Sequence, residues 1–497
     1  MSTSVSRTPQ QQAANPVRKD VSTSVLKTSM RCEWRLLRTD LGWWSAIALL
    51  LACLLFALHN GCVRLDERAR SILAEQQDEA ERLATLTRQL GQIERGEVKP
   101  PDAPYRDPGN AIYVGRRQAA TVAYLPNAPL AVTAVGLADL YPHSFQVSAG
   151  SKDSFLFVDE IANPTHLLSG SFDVAFVIVY LYPLVLLALS YNVLSSEREQ
   201  GTLALTVASS APLMTVLAGK LAVRTGSVIA AAIVTLGCAL LLVTGGAAGL
   251  ASLALLTLTI GFYGLFWVAL SLLVNSLGRD SSFNTVALVM AWVLLLLVAP
   301  AAMNATAQVF YPTPPRSEMV LAVRHAAIDA ERDREATETK FREEHRSAGD
   351  RGDARSKQTL AVTLAADARA DAMLANHEAQ VRAQRRLSDR LAYLVPPVLI
   401  NDAIVELAGN GPTRWDDYLE RIGRFHTRWQ SFFVDRASQG VALTSADYKA
   451  FPRFASSVAQ TQGLATITWR VLTALTWVAA ISTAIYLYAA RRISHQA

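Results

Sequence analysis

Six apolar runs, each about twenty residues long and separated by long polar stretches, dominate the sequence. They cover about 41–59, 173–193, 226–244, 251–274, 284–303 and 468–490. A hydrocarbon core about 30 Å thick needs about 20 helical residues to cross it. In lipid the backbone must satisfy its own polar groups, so each run is predicted to be a helix. The fold class that follows is an all-α polytopic membrane protein with six transmembrane helices. Soluble folds of this length, which spread their apolar residues over several cores, are disfavoured.

Lysines and arginines cluster at one set of span ends. Arg18, Lys19, Lys27, Arg31, Arg35 and Arg38 precede the first span. Arg198, Lys220 and Arg224 lie between the second and third, Arg279 between the fourth and fifth, and Arg491 and Arg492 after the sixth. The turn from Gly245 to Leu250 carries none. The positive-inside rule then puts residues 1–40, 194–225 and 491–497 in the cytoplasm, with both termini inside. The polar start and the length of the first run predict a retained span rather than a cleaved signal.

Two long loops fall on the outer side. The first, 60–172, opens on a charged helical stretch with Leu73, Leu83, Leu86 and Leu90 at weak apolar spacing. Beyond Pro100 and Pro101 it is punctuated by turns and offers short strands at Ala119–Tyr124 and Leu130–Val135. The second, 304–467, carries an Ala/Arg/Glu-rich stretch from Ser317 to Tyr393, which reads as two helices broken near Gly349 and Gly352. A further helix over 413–437 carries Trp415, Tyr418, Ile422, Phe425 and Trp429 at helical spacing, an arrangement expected to pack a core. Both loops are therefore predicted to be mainly α-helical periplasmic insertions, the first with some β. Residues 226–303 hold spans three to five.

Several chemistries lack their residues. The four cysteines, Cys32, Cys53, Cys62 and Cys238, form no CxxC pair, so neither a disulfide framework nor a zinc ribbon is expected. The eight histidines include no His-x-x-x-His pair, and no metal site is predicted. Asp153, Asp159 and Glu160 read as a solvated face rather than as acid catalysts, and no catalytic residues are predicted. The net charge of +5 sits mainly at membrane flanks, which argues against a nucleic-acid partner. The spans carry almost no ionisable side chains in their middles, where a proton- or sodium-driven carrier would place its relay.

The segment Ser190–Arg224 is the most informative. It carries Glu197, Arg198 and Glu199, then Gly201 and Thr202, and downstream Gly219 and Lys220. On charge alone it reads as a solvated positive-inside loop or a short surface helix. The run Glu197-Arg198-Glu199-Gln200-Gly201-Thr202-Leu203, with Gly219-Lys220-Leu221, resembles the cytoplasmic coupling segment of type-two ABC exporter permeases. The stretch Asn163–Asp173 resembles the entry to span two in a large-loop subgroup. That subgroup is often labelled multi-copper-enzyme maturation or copper-processing permeases. The resemblance is specific over about 155–225 and general across the later spans. It implies a bacterial inner-membrane permease that meets a separate cytoplasmic ABC ATPase through Glu197, Arg198, Glu199, Gly201, Thr202, Gly219 and Lys220. It also implies a second permease copy or paralogue. The outer loops, which the resemblance does not cover specifically, are expected to form a periplasmic cap that binds substrate or a periplasmic partner. No cofactor is expected on the chain itself: Gly219-Lys220 lacks the upstream glycine and the following hydroxyl of a phosphate loop, so ATP would act through the partner. The rival reading is a membrane-anchored scaffold or sensor whose outer domains do the work.

Overall fold

The computed structural model describes residues 16–139, 142–150, 172–208, 212–246, 249–313, 316–344, 354–456 and 459–496. Six helices in it are long and apolar enough to cross a membrane: Leu41–Glu94, Val174–Glu199, Leu213–Thr244, Leu250–Asn275, Ser281–Phe310 and Ala465–His495. They contain the six runs read from the sequence, and the chain has the fold of a polytopic helical membrane protein.

A short amphipathic lead, α1 (Pro16–Leu37), precedes span one. Span one belongs to a single 54-residue helix, α2 (Leu41–Glu94). Asp40 starts it, its carboxylate accepting from the Gly42 amide at 2.8 Å. At 1.5 Å per residue α2 is about 80 Å long, roughly twice the bilayer with its headgroups. The first half is apolar and packs in the bundle; the charged second half rises beyond it as a post.

The bundle core is aromatic at its centre. Trp43, Leu50, Leu54, Ile178, Tyr182, Tyr263 and Trp267 are all buried there. Hydroxyls in this apolar setting find backbone partners, as burial demands. Tyr182 donates to the Ile260 carbonyl at 3.3 Å and Tyr263 to the Val179 carbonyl at 2.9 Å. Gly264 makes the approach possible: a Cβ there would lie 2.2 Å from the Tyr182 hydroxyl oxygen. Spans two and five each contain a π turn, Val177–Leu181 and Leu294–Val298, close before a proline. A proline removes one helical hydrogen bond, and the wider turn accommodates the loss.

The two insertions emerge at the same end of the bundle and share one core. Leu86 and Leu90 of α2, Val114 and Phe145 of the first insertion, and Trp415, Tyr418, Phe425, Trp429 and Phe433 of the second pack together. The aromatic stripe on Pro412–Gln439 is thus core, as its spacing predicts. The second insertion comprises α3 (Arg316–Arg332), α4 (Arg334–Glu344), α5 (Ala354–Ala392), α6 (Pro396–Leu407), α7 (Pro412–Gln439) and the short Ser445–Lys449. The expected long first helix is interrupted at Asp333, which ion-pairs with Arg369 of α5 at 2.9 Å. The expected break near Gly349 and Gly352 lies outside the described residues.

The first insertion corrects one strand. β1 (Thr121–Tyr124) falls within the predicted Ala119–Tyr124, but Leu130–Val135 is no strand and holds a tight turn at Ala131–Thr133. Leu130 through Val135 are buried without alternation, because the segment wedges against α2. A Cβ on Gly61 would lie 2.2 Å from the Val132 carbonyl oxygen. β1 instead pairs antiparallel with β2 (Ser144–Val147), Thr121 opposite Val147. The entry to span two is anchored to this region: Asp173 accepts from Phe176 N at 2.7 Å and from Val135 N at 2.8 Å. The rest of the span-entry stretch, 163–171, lies outside the described residues.

Where the second insertion meets span six, Glu406 is only 5% exposed. One carboxylate oxygen accepts from Thr413 Oγ1 at 2.7 Å and from Arg470 at 3.2 Å; the other is buried without a partner. Desolvation raises its pKa above the usual 4.5, outweighing Thr413 and Arg470. A carboxyl whose folded pKa is raised binds its proton more tightly in the folded state, so its contribution to stability falls as pH rises from about 4.5. Glu406→Gln removes that slope. The difference in Tm between variant and parent is expected to shift in favour of the variant, whose amide stays uncharged, as pH rises from about 4.5 to 7. A difference that is the same at both pH values would refute the buried-carboxylate account.

Candidate functional site: the charged junction after span two

The segment that leaves span two folds as three short helices, Ser195–Glu199, Leu203–Ala208 and Leu213–Arg224. The last continues through Thr225 into span three. Ser209 and Ser210 lie outside the described residues. Gly201 turns the chain between the first two helices at φ +73°, a left-handed conformation in open space that a side chain would strain.

α1 packs along Leu213–Arg224. Ser29 donates to the Val216 carbonyl at 2.8 Å, and Gly219 lets the two helices touch: a Cβ there would lie 2.7 Å from Ser29 Oγ. At the end of this seam Glu33, 1% exposed, ion-pairs with Arg224. The same guanidinium donates to Asn192 Oδ1 at 3.2 Å, so α1, span two and the entry to span three meet at one cation.

The predicted residues divide into two groups. Glu197, 8% exposed, turns inward and ion-pairs with Lys220, while its carbonyl accepts from Thr202 Oγ1 at 3.2 Å. Gly219 is consumed by the α1 contact. Glu199 lies at the surface and clamps the start of span five, accepting from Ser281 N at 2.6 Å and Ser281 Oγ at 3.0 Å. Arg198 is half-buried, with one guanidinium nitrogen lacking a hydrogen-bond partner. The exposed tip is therefore Glu199, Gln200, Gly201, Thr202, Ala204 and Leu205, with Leu205 73% exposed.

Two asparagines that the sequence reading does not single out hold this junction. Asn275 accepts from the Leu194 amide at 3.2 Å and donates to the Ser190 carbonyl at 3.2 Å. Asn284 donates to the Tyr191 carbonyl at 3.2 Å. Both are buried, and together they satisfy the backbone where span two ends and join it to spans four and five. The available signal is an amide at the end of one apolar run and the start of the next, since polar residues at span ends are retained where they bond neighbouring helices.

No group of three or more His, Cys, Asp or Glu able to hold a metal ion occurs among the described residues. Residues 316–456 match a family described as a domain of unknown function, DUF3526. That match coincides with the second insertion. No curated protein matches the chain.

Proposed function

We propose that the chain is the permease subunit of an ATP-driven exporter, with the junction after span two receiving the stroke of a separate cytoplasmic ATPase. The observation that carries this reading is the division of labour within the charged segment. Its inner charges fix it to α1, span two and the entry to span three. Glu199 at the base of the tip clamps the start of span five, while the rest of the small tip, Gln200–Leu205, carries an exposed leucine. A push on such a tip would move several spans together. The resemblance to type-two ABC exporter permeases assigns the same segment to ATPase coupling. Two copies, or one copy and a paralogue, would enclose the path in a bacterial inner membrane, with the insertions as a periplasmic cap.

Affinity isolation of the full chain from its native membranes should recover a protein with phosphate-loop motifs and ATP hydrolysis. Leu205→Asp should lower its capture roughly 30-fold, the effect of losing about 2 kcal/mol at an interface anchor. The Tm of the chain should not change, because Leu205 packs little of its surface. Recovery without any ATPase would end the permease reading and favour a scaffold. Capture unaffected by Leu205→Asp would place the contact elsewhere.

Topology provides a separate test. A reporter inserted after Gly96 should read periplasmic, and one inserted after Arg279 cytoplasmic, because the lysines and arginines flank the latter side. The opposite pattern would invert the orientation and remove the tip from the side where ATP is available.

A further inference from the structure

A cavity of about 300 Å³ opens where α2 leaves the apolar bundle. One wall is a face of α2 carrying Arg64, Arg68 and Ser71; the other includes Val135, His143 and Asn410. Arg64 and Arg68 are one helical turn apart and so share a face. Among the described residues neither has a carboxylate within the 4.0 Å of an ion pair. Arg68 donates one hydrogen bond, from Nη2 to the Leu125 carbonyl at 3.2 Å, and its Nε is buried without a partner. The one acid in the lining, Glu67, is exposed.

More positive charge stands behind this wall. Arg414 donates to the Gly409 carbonyl at 3.2 Å and to the Pro126 carbonyl at 2.5 Å. Burial, then Arg68 and Arg421, push its pKa down to about 10 against the opposing pull of the Asp417 carboxylate. Three guanidinium groups thus crowd a partly buried region; Arg421 is paired with Asp417 at 3.1 Å, whereas Arg68 keeps an unused donor beside the cavity. Such an arrangement is costly unless an anion compensates it.

We propose that this cavity binds a phosphate-bearing anion through Arg64 and Arg68. The guanidinium fork matches phosphate oxygens in a bidentate fashion. The cavity has room for a headgroup-sized or phosphomonoester-sized ligand and not for a polymer. Its height is also informative. Arg64 lies five residues past His59, about 7 Å along the helix, whereas the headgroup layer is roughly 5–7 Å thick. Either a lipid headgroup or a soluble phosphate compound could therefore reach it. The ligand would relieve the repulsion between Arg68 and Arg414. It would also bridge α2 to Asn410, which already ties the second insertion to the first through the Ala134 carbonyl at 2.6 Å.

The test is calorimetric titration of the purified full chain in maltoside detergent. The probes are inorganic phosphate and short-chain phosphatidylglycerol, with short-chain phosphatidylcholine as the zwitterionic control. Saturable binding of inorganic phosphate assigns a soluble anion; saturable binding of phosphatidylglycerol alone, in preference to phosphatidylcholine, assigns a lipid. Arg68→Gln and Arg64→Gln should each weaken the binding about tenfold or more. Ser71→Trp should do the same by filling the mouth while leaving both arginines in place, and Ser71 is exposed enough to be substituted without unfolding the chain. Absence of saturable binding by both probes overturns the proposal, as does binding that Ser71→Trp and Arg64→Gln leave unchanged.

Discussion

Trp429→Ala should cost about 3–5 kcal/mol, the range for emptying a fully buried large aromatic site. Trp429 is 1% exposed and lies at the middle of the stripe on α7. Its ring meets Phe425, Phe433 and Phe451 at centroid distances of 5.9, 5.2 and 5.5 Å. These rings also pack against Val114, Phe145 and the end of α2, so the loss would reach both insertions. The six-span bundle has a different core, built around Tyr182, Tyr263 and Trp267. The expected signature is therefore selective. Limited proteolysis should cut the insertions of the variant at a protease concentration that spares the parent, while the spans remain protected in the membrane. Trp429→Phe should recover most of the loss. Equal protease resistance of Trp429→Ala and the parent would show that the insertions do not depend on this shared core.

How far the sequence can be read depends on the range of the interactions involved. Spans follow from composition over about twenty neighbours, and all six are found where the apolar runs lie. The stripe on α7 follows from local periodicity. By contrast, the interruption at Asp333 has no glycine or proline to announce it, and its ion pair is with Arg369 on another helix. β2 escapes a sequence reading because four residues alternate too briefly to stand out. Leu130–Val135 misleads because an apolar run has the same composition in a strand and in a buried turn. The junction after span two shows the same limit. Its charges are legible as positions in the chain, but their directions are not. Glu33 meets Arg224 across 191 residues, and Asn284 reaches Tyr191 across 93. A charge that faces a partner helix and one that faces water look alike until that helix is placed.

The inward direction of these charges makes Arg224→Met the sharper probe of the junction. Arg224 is the single cation that Glu33 meets in an ion pair among the described residues, and Glu33 is 1% exposed. Removing the guanidinium leaves a carboxylate buried without compensation, a change that typically costs about 3–5 kcal/mol. It also removes the donor to Asn192 Oδ1, which links the pair to the end of span two. α1 should then loosen from Leu213–Arg224, since the rest of that seam is the Gly219 approach, the hydrogen bond from Ser29 and the apolar packing of residues such as Met30 and Leu37. A protease site placed after Thr39 should be cut faster in the variant, and the Tm of the purified chain should fall. The double variant Glu33→Leu/Arg224→Met separates loss of attraction from the cost of a stranded charge. With both charges gone, apolar side chains of similar length can fill the seam, and replacement of a buried ion pair by apolar groups is often neutral or stabilising. The double variant should therefore recover most of the Tm and much of the protease resistance. Under the proposed permease function, recovery of stability without recovery of ATP-driven transport would assign the ion pair a part in transmitting motion from the exposed tip to span two. An Arg224→Met chain as stable as the parent would show that α1 is held by its apolar contacts alone.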